Sequence, residues 1–121
     1  MLSEKEKPGL WGEIYAARFM RENGYEIITA NYRCRLGEID IIAKKDGFLV
    51  FTEVKTRSLG AIAPGREAVG SAKQERIIET ASLFMQKNNY DLQPRFDVAE
   101  VTLGKEPISC EYIENAFDSS F

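Results

Sequence analysis

Asp40 is followed, after twelve intervening residues, by Glu53, and Glu53-Val54-Lys55 closes the set with a lysine two positions on. Two carboxylates held close together repel unless a cation lies between them, and oxygen donors of this kind suit Mg²⁺ or Mn²⁺. A lysine beside such a pair can orient or deprotonate a water, or steady the charge that develops on a phosphoryl group. Histidine is absent from the chain, which removes the commonest general base and the commonest transition-metal ligand. Asp40 and Glu53 are therefore the candidate metal ligands, and Asp40, Glu53 and Lys55 the candidate catalytic groups.

The elements that must position them are two strand-like runs, Gly37 to Ala43 and Phe48 to Thr56, joined across Lys45-Asp46-Gly47. Asp-Gly between apolar runs is a strong hairpin signal. If the turn is Asp46-Gly47, Lys45 faces Phe48, Asp40 lies opposite Glu53, and Glu38 lies opposite Lys55. Cross-strand neighbours share a face with Cβ atoms roughly 4.5 to 5.5 Å apart, so the four polar groups converge on one patch. The same alternation also fits a solvated hairpin face carrying ion pairs. Against that reading, the charges are embedded in the apolar runs Ile39 to Ala43 and Phe48 to Val54, where a buried charge needs a partner. The hairpin's apolar residues divide into Ile39, Ile41, Val50 and Val54 on one face and Ile42, Leu49 and Phe51 on the other, which predicts a sheet covered on both sides by helices.

Around the hairpin, Leu10, Ile14, Ala17 and Met20 recur at helical spacing and Asn23-Gly24 ends the pattern, predicting a helix over Leu10 to Glu22. Tyr25 to Cys34 reads as a strand. Residues 58 to 70, with three glycines and Pro64, read as a loop over the end of the preceding strand. Ser71-Ala72-Lys73-Gln74 fits a capping box, and Ile77, Ile78, Ala81, Phe84 and Met85 form the buried stripe of a helix reaching about Asn88. Strands are expected at Arg95 to Leu103 and Ser109 to Ile113. With no repeat or composition break, residues 1–121 read as one domain whose first eight residues are a frayed end.

Further residues can join the site. Glu13 precedes Ala16, Ala17 and Met20 at helical spacing and lies on the inward stripe, although a first-turn acid also complements the helix dipole. Lys73 sits at a helix N-terminus, where phosphate is favoured, and Gln74 is explained equally by the capping box. Arg33, Arg35 and Arg57 flank the acids in sequence and can grip phosphates bidentately. Trp11 reads as a packing residue, and Asp97 as an ion-pairing or capping acid.

Composition bounds the partners. The net charge is −3, but residues 33 to 76 hold nine Lys/Arg against six Asp/Glu, while residues 77 to 121 hold three against eight. A locally basic middle suits nucleic acid despite the acidic total. No apolar run approaches bilayer length and no secretory segment opens the chain, so a cytoplasmic protein without a membrane partner is expected. Cys34 and Cys110 show no zinc spacing and read as buried free thiols.

At these residues the sequence resembles known nucleases. Asp40 with Glu53-Val54-Lys55 is similar to the PD-(D/E)xK signature of restriction-endonuclease-like enzymes. An ordered set over nearly the whole chain resembles the bacterial YraN-like family: Gly12-Glu13 with Ala16-Ala17, Gly37 to Ala43, Phe51 to Arg57, Glu67-Ala68-Val69 with Lys73-Gln74, and Arg95 to Val98. The resemblance implies an α/β fold with a nuclease core of αβββαβ topology, a central mixed sheet flanked by helices, similar to archaeal Holliday junction resolvases. It places the helix acid at Glu13, the metal-binding acids at Asp40 and Glu53, the catalytic lysine at Lys55 and an accessory group at Gln74. A metal-dependent endonuclease acting on DNA, branched DNA included, is the function it implies, with a non-cleaving nucleic-acid module on the same fold as the alternative. Ile39 stands where the signature has proline, a residue that shapes backbone and supplies no ligand. A two-fold dimer would match the symmetry of a four-way junction.

Overall fold

The computed structural model describes residues 3–58, 69–104 and 106–118. Along the chain run α1 (Pro8–Glu22), β1 (Glu26–Cys34), β2 (Gly37–Lys45), β3 (Phe48–Ser58), α2 (Ser71–Lys87), β4 (Gln93–Leu103) and β5 (Ser109–Phe117). The strands form one sheet in the order β1-β2-β3-β4-β5. Only β3 and β4 pair in parallel; the other neighbours are antiparallel. The fold is thus mixed α/β, and β5, expected from the sequence at Ser109 to Ile113, lies beyond the αβββαβ core that the resemblance implies. The loop expected between β3 and α2 falls almost wholly on residues 59–68, outside the described residues.

The central hairpin follows its sequence signal. Lys45 pairs with Phe48, and Asp46 and Gly47 take φ values of 50° and 83°, the left-handed pair that a two-residue hairpin turn requires. The register then runs through Ile41↔Thr52, the last pair of the ladder. Parallel pairing of β3 with β4 continues from Phe48↔Gln93 to Ser58↔Leu103, and the chain between those strands carries α2.

The two faces of the sheet carry separate cores. Ile42, Leu49, Phe51, Phe96 and Val98 pack with Ile77, Ile78, Ala81 and Phe84 of α2. Ile41, Ala43, Val50, Ala99 and Val101 pack with Ala16 and Met20 of α1. Ile39 departs from the expected division: it packs with the α2 cluster, whereas Ile41 two residues on packs with the α1 cluster. Strict alternation fails at Asp40, where the β2–β3 ladder has ended and the Asp40 carboxylate accepts a hydrogen bond from the Val54 N–H at 2.7 Å.

The buried face of α1 is also rotated from expectation. Gly12, Ala16 and Met20 are buried, while Leu10 and Ile14 are 47% and 41% exposed. Small residues allow the helix to lie close on β3. A Cβ added to Gly12 would stand 1.9 Å from Thr56 Oγ1 and 2.9 Å from Thr56 Cβ. Gly12→Ala gains about 1 kcal/mol of helix propensity, but the overlap costs more. The expected net loss is about 2 kcal/mol in urea denaturation, partly recovered by Thr56→Ala in the same chain. A Gly12→Ala protein as stable as the parent would contradict this close approach.

The capping box does not form. The N-cap of α2 is Gly70 and makes no side-chain cap; Gln74 Nε2 instead donates to the Val69 carbonyl at 2.7 Å. Ser71 is already inside the helix, because extended Gly70 supplies the turn into it. Cys34 and Cys110 are free but half-buried rather than buried, and burial pushes the Cys110 thiol up to about 11. Among the described residues, no helix is long and apolar enough to cross a membrane.

Candidate active site

The acids gather where β2 and β3 part. Past Ile41↔Thr52 the strands no longer pair as a ladder, so the expected Asp40–Glu53 and Glu38–Lys55 ladder pairs are absent. Asp40 replaces a backbone acceptor by taking the Val54 N–H. Its carboxyl also stands within hydrogen-bonding reach of Glu13 from α1 and Glu53 from β3. The carboxyl groups of Glu13, Asp40 and Glu53, from three elements, thus come together, Asp40 and Glu53 without the ladder pairing expected of them and Glu13 from the inward side of α1.

Their electrostatics reflect the crowding. Burial first, then the charge of Asp40, raises the Glu13 carboxyl from 4.5 to about 6. Glu53 is 8% exposed, and burial together with Asp40 raises its carboxyl, opposed by Lys73. The Lys73 ammonium, projecting from the first turn of α2, is bonded to Glu53 Oε1. Among the described residues, no group of three Asp, Glu or Cys side chains is placed to hold a metal ion. Asp40 and Glu53 still offer the carboxylate oxygens that a hard divalent cation takes, and the Lys73 ammonium now compensates Glu53.

The pH response of the cation-free protein follows in sign. A Glu13 carboxyl raised from 4.5 to about 6 binds more protons folded than unfolded between those values, so its contribution favours folding at low pH and is lost as pH rises through about 6. Glu13→Gln removes that loss. The variant is expected to exceed the parent's stability at pH 7.5 by on the order of 1 kcal/mol after solvent screening, and to match it near pH 4. Urea denaturation at the two pH values without divalent cation checks this; equal stabilities at both would show Glu13 to be unstrained.

Lys55 lies two residues beyond Glu53 on β3, half-buried, with Glu100 as its ladder partner on β4. Arg57, on the same side of β3, reaches Glu100 Oε1 at 3.5 Å. Gln74 is directed to Val69. Arg33 and Glu38 pair across β1 and β2 at 3.2 Å with both side chains exposed, and Arg35 is exposed in the turn between those strands. Glu38 therefore faces Arg33 rather than standing opposite Lys55.

Beside the acids an open groove of about 370 Å³ runs between the β1–β2 turn and α2, lined by Arg33, Glu38, Lys73, Arg76 and Ile77. Arg76 had no place in the sequence reading of the site. Its spacing of three from Lys73 on a helix was the available signal, since residues three apart share a face. Asp97 proves structural: it is fully buried and held by Arg95, Tyr112 and the Asn115 N–H on the α1 side of the sheet.

Fold and site together define a mixed α/β protein whose two-sided sheet carries an acid–lysine cluster at the opening of its central hairpin. The chain belongs to the UPF0102 family, described as "Uncharacterised protein family UPF0102", whose model matches residues 12–101. This bears out the YraN-like resemblance at family level. A UPF0102 protein of Lachnoclostridium phytofermentans is 45% identical over 117 residues, spanning 95% of this chain and 96% of its own. One from Symbiobacterium thermophilum is 46% identical over 108 residues, spanning 88% and 92%. One from Caldanaerobacter subterraneus is 39% identical over 117 residues, spanning 93% and 96%.

Proposed function

We propose that this protein is a metal-dependent endonuclease with a restriction-endonuclease-like core, hydrolysing phosphodiester bonds of DNA, with branched DNA among its substrates. The observation that supports this most is the meeting of Glu13, Asp40 and Glu53 from α1, β2 and β3 around one carboxyl group. Three carboxyl groups crowded together repel one another, and such clusters mark functional sites.

Asp40 and Glu53 would hold Mg²⁺ or Mn²⁺, with Glu13 as an outer acid. The bound cation supplies Lewis acidity toward a phosphodiester oxygen and lowers the pKa of water. The Val54 N–H donates to one oxygen of Asp40 and orients its carboxylate. Lys55 stands on the Glu53 side of β3, where an ammonium offsets the negative charge growing on the phosphoryl oxygens. Glu13, with its carboxyl near 6, is suited to hold or release a proton close to neutral pH. Arg57 and the groove residues Arg33 and Lys73 offer phosphate contacts at the flanks, Arg35 lies exposed near them, and Gln74 braces the entry to α2. The half-buried free thiols fit the reducing cytoplasm.

Cleavage of single-stranded, duplex and four-way-junction DNA, with Mg²⁺, with Mn²⁺ and with chelator, tests the proposal. Metal-dependent cutting of any form is expected; none with either metal overturns it. One observation favours a second reading, a non-cleaving nucleic-acid module: the Lys73–Glu53 pair compensates the buried acid without a metal. Such a module would bind DNA with strong salt dependence and tolerate Glu53→Ala.

A further inference from the structure

Lys73 has two chemical surroundings within reach of one flexible side chain. Its ammonium is bonded to Glu53 Oε1, and the side chain lines the groove that also holds Arg33 and Arg76. The lysine side chain is 50% exposed, against 10% for Glu53, so the pair is easily broken from the lysine's end. Glu53 is not: it is enclosed, stands beside Asp40, and needs a positive charge whenever it is ionised. A divalent cation between Asp40 and Glu53 would meet that need more fully than an ammonium. A divalent cation that takes Glu53 Oε1 must displace the ammonium from it, because two cations at bonding distance of one oxygen repel strongly.

Building on the metal-site reading proposed above, we infer that Lys73 is an exchangeable counter-cation: divalent metal at Asp40 and Glu53 expels its ammonium into the groove beside Arg76, where it binds a backbone phosphate of the nucleic acid. The groove suits an anion. Arg33, Lys73 and Arg76 face one acid, Glu38, already paired with Arg33. Without metal, Lys73 is spent on Glu53 and the groove is the poorer by one charge. With metal, it is restored. Metal and nucleic acid then bind with positive coupling, and each raises the affinity of the other by the same factor.

Mn²⁺ titration by calorimetry, with no nucleic acid present, gives a readout independent of cleavage. Lys73→Met removes the competitor and is expected to tighten Mn²⁺ binding about five- to tenfold. Arg76→Met removes an equal charge from the same groove without touching Glu53, and is expected to change Mn²⁺ affinity less than twofold. Binding of a labelled oligonucleotide is then measured in the Lys55→Ala background. Lys73→Met is expected to weaken it about fivefold with Mn²⁺ and hardly at all without, whereas Arg76→Met weakens it in both conditions. Unchanged or weaker Mn²⁺ binding by Lys73→Met, or an equal loss of oligonucleotide affinity with and without Mn²⁺, overturns the exchange. If neither parent nor Lys73→Met takes up Mn²⁺, the metal site itself fails, a result distinct from failure of the exchange alone.

Discussion

Asp40→Asn and Lys55→Ala are each expected to lower the proposed metal-dependent DNA cleavage by about two to four orders of magnitude, the range for removing a group that acts on the reacting atoms. Asparagine is the informative replacement at position 40. Its amide oxygen can still accept the Val54 N–H now taken at 2.7 Å, so the backbone at the opening of the hairpin is held while a negative charge is lost. The charge matters most for a cation, so Mn²⁺ affinity should fall with the cleavage rate. Lys55→Ala removes no ligand and should leave Mn²⁺ binding within a few-fold of the parent while the rate collapses. That split separates ligand from catalyst. Initial rates on the best-cleaved DNA form, with thermal unfolding as a check on folding, measure it. Wild-type rates in either variant would end the assignment.

Arg95→Ala costs about 3–5 kcal/mol of stability, because it strands a buried carboxylate. Arg95 holds Asp97 with two hydrogen bonds, at 3.0 and 2.7 Å, and its side chain is only 11% exposed while that of Asp97 is fully enclosed. Tyr112 and the Asn115 N–H complete the shell of Asp97 at 2.6 and 2.9 Å, and Thr52 donates in turn to Tyr112. The network ties β3, β4 and β5 together, and Arg95 also lies over the Phe48 and Tyr25 rings. Its loss removes packing as well as charge. Urea denaturation at pH 7 reads the effect, and Arg95→Ala with Asp97→Asn should lose less than Arg95→Ala alone, since the stranded charge is then gone. A single variant within 1 kcal/mol of the parent would mean that Asp97 finds another cation.

Much of this was legible in the residues themselves, wherever a local rule had no competitor. Asp46-Gly47 admits few other backbones, so the hairpin and its register followed from two letters. Asp40 and Glu53 came together for the same reason, although through an opened ladder rather than a paired one. Other features depend on what arrives from elsewhere in the chain. The contact face of α1 is built from Gly12 and Ala16, whose smallness carries no hydrophobic signal but decides how closely the helix meets Thr56. The partner of Glu53 is Lys73, twenty residues on and brought by α2; no spacing rule within the hairpin points to it. Gln74 had a complete local explanation as a cap, yet Gly70 starts the helix. Ile39 fails strict alternation because Asp40 turns its side chain to the backbone of β3.

The parallel pairing of β3 with β4 sets an order on biosynthesis. Glu13, Asp40 and Glu53 are all made early, and the hairpin that carries two of them can close as soon as it is free, since antiparallel pairing across a tight turn is local. Glu13 must wait. Its helix rests on Ala99 and Val101 of β4 as well as on β3, and β4 reaches its place only after α2 has crossed the sheet. A chain still emerging from the ribosome therefore lacks part of the floor under α1, and the cross-sheet contact that finishes the core also completes the support of the helix that carries Glu13.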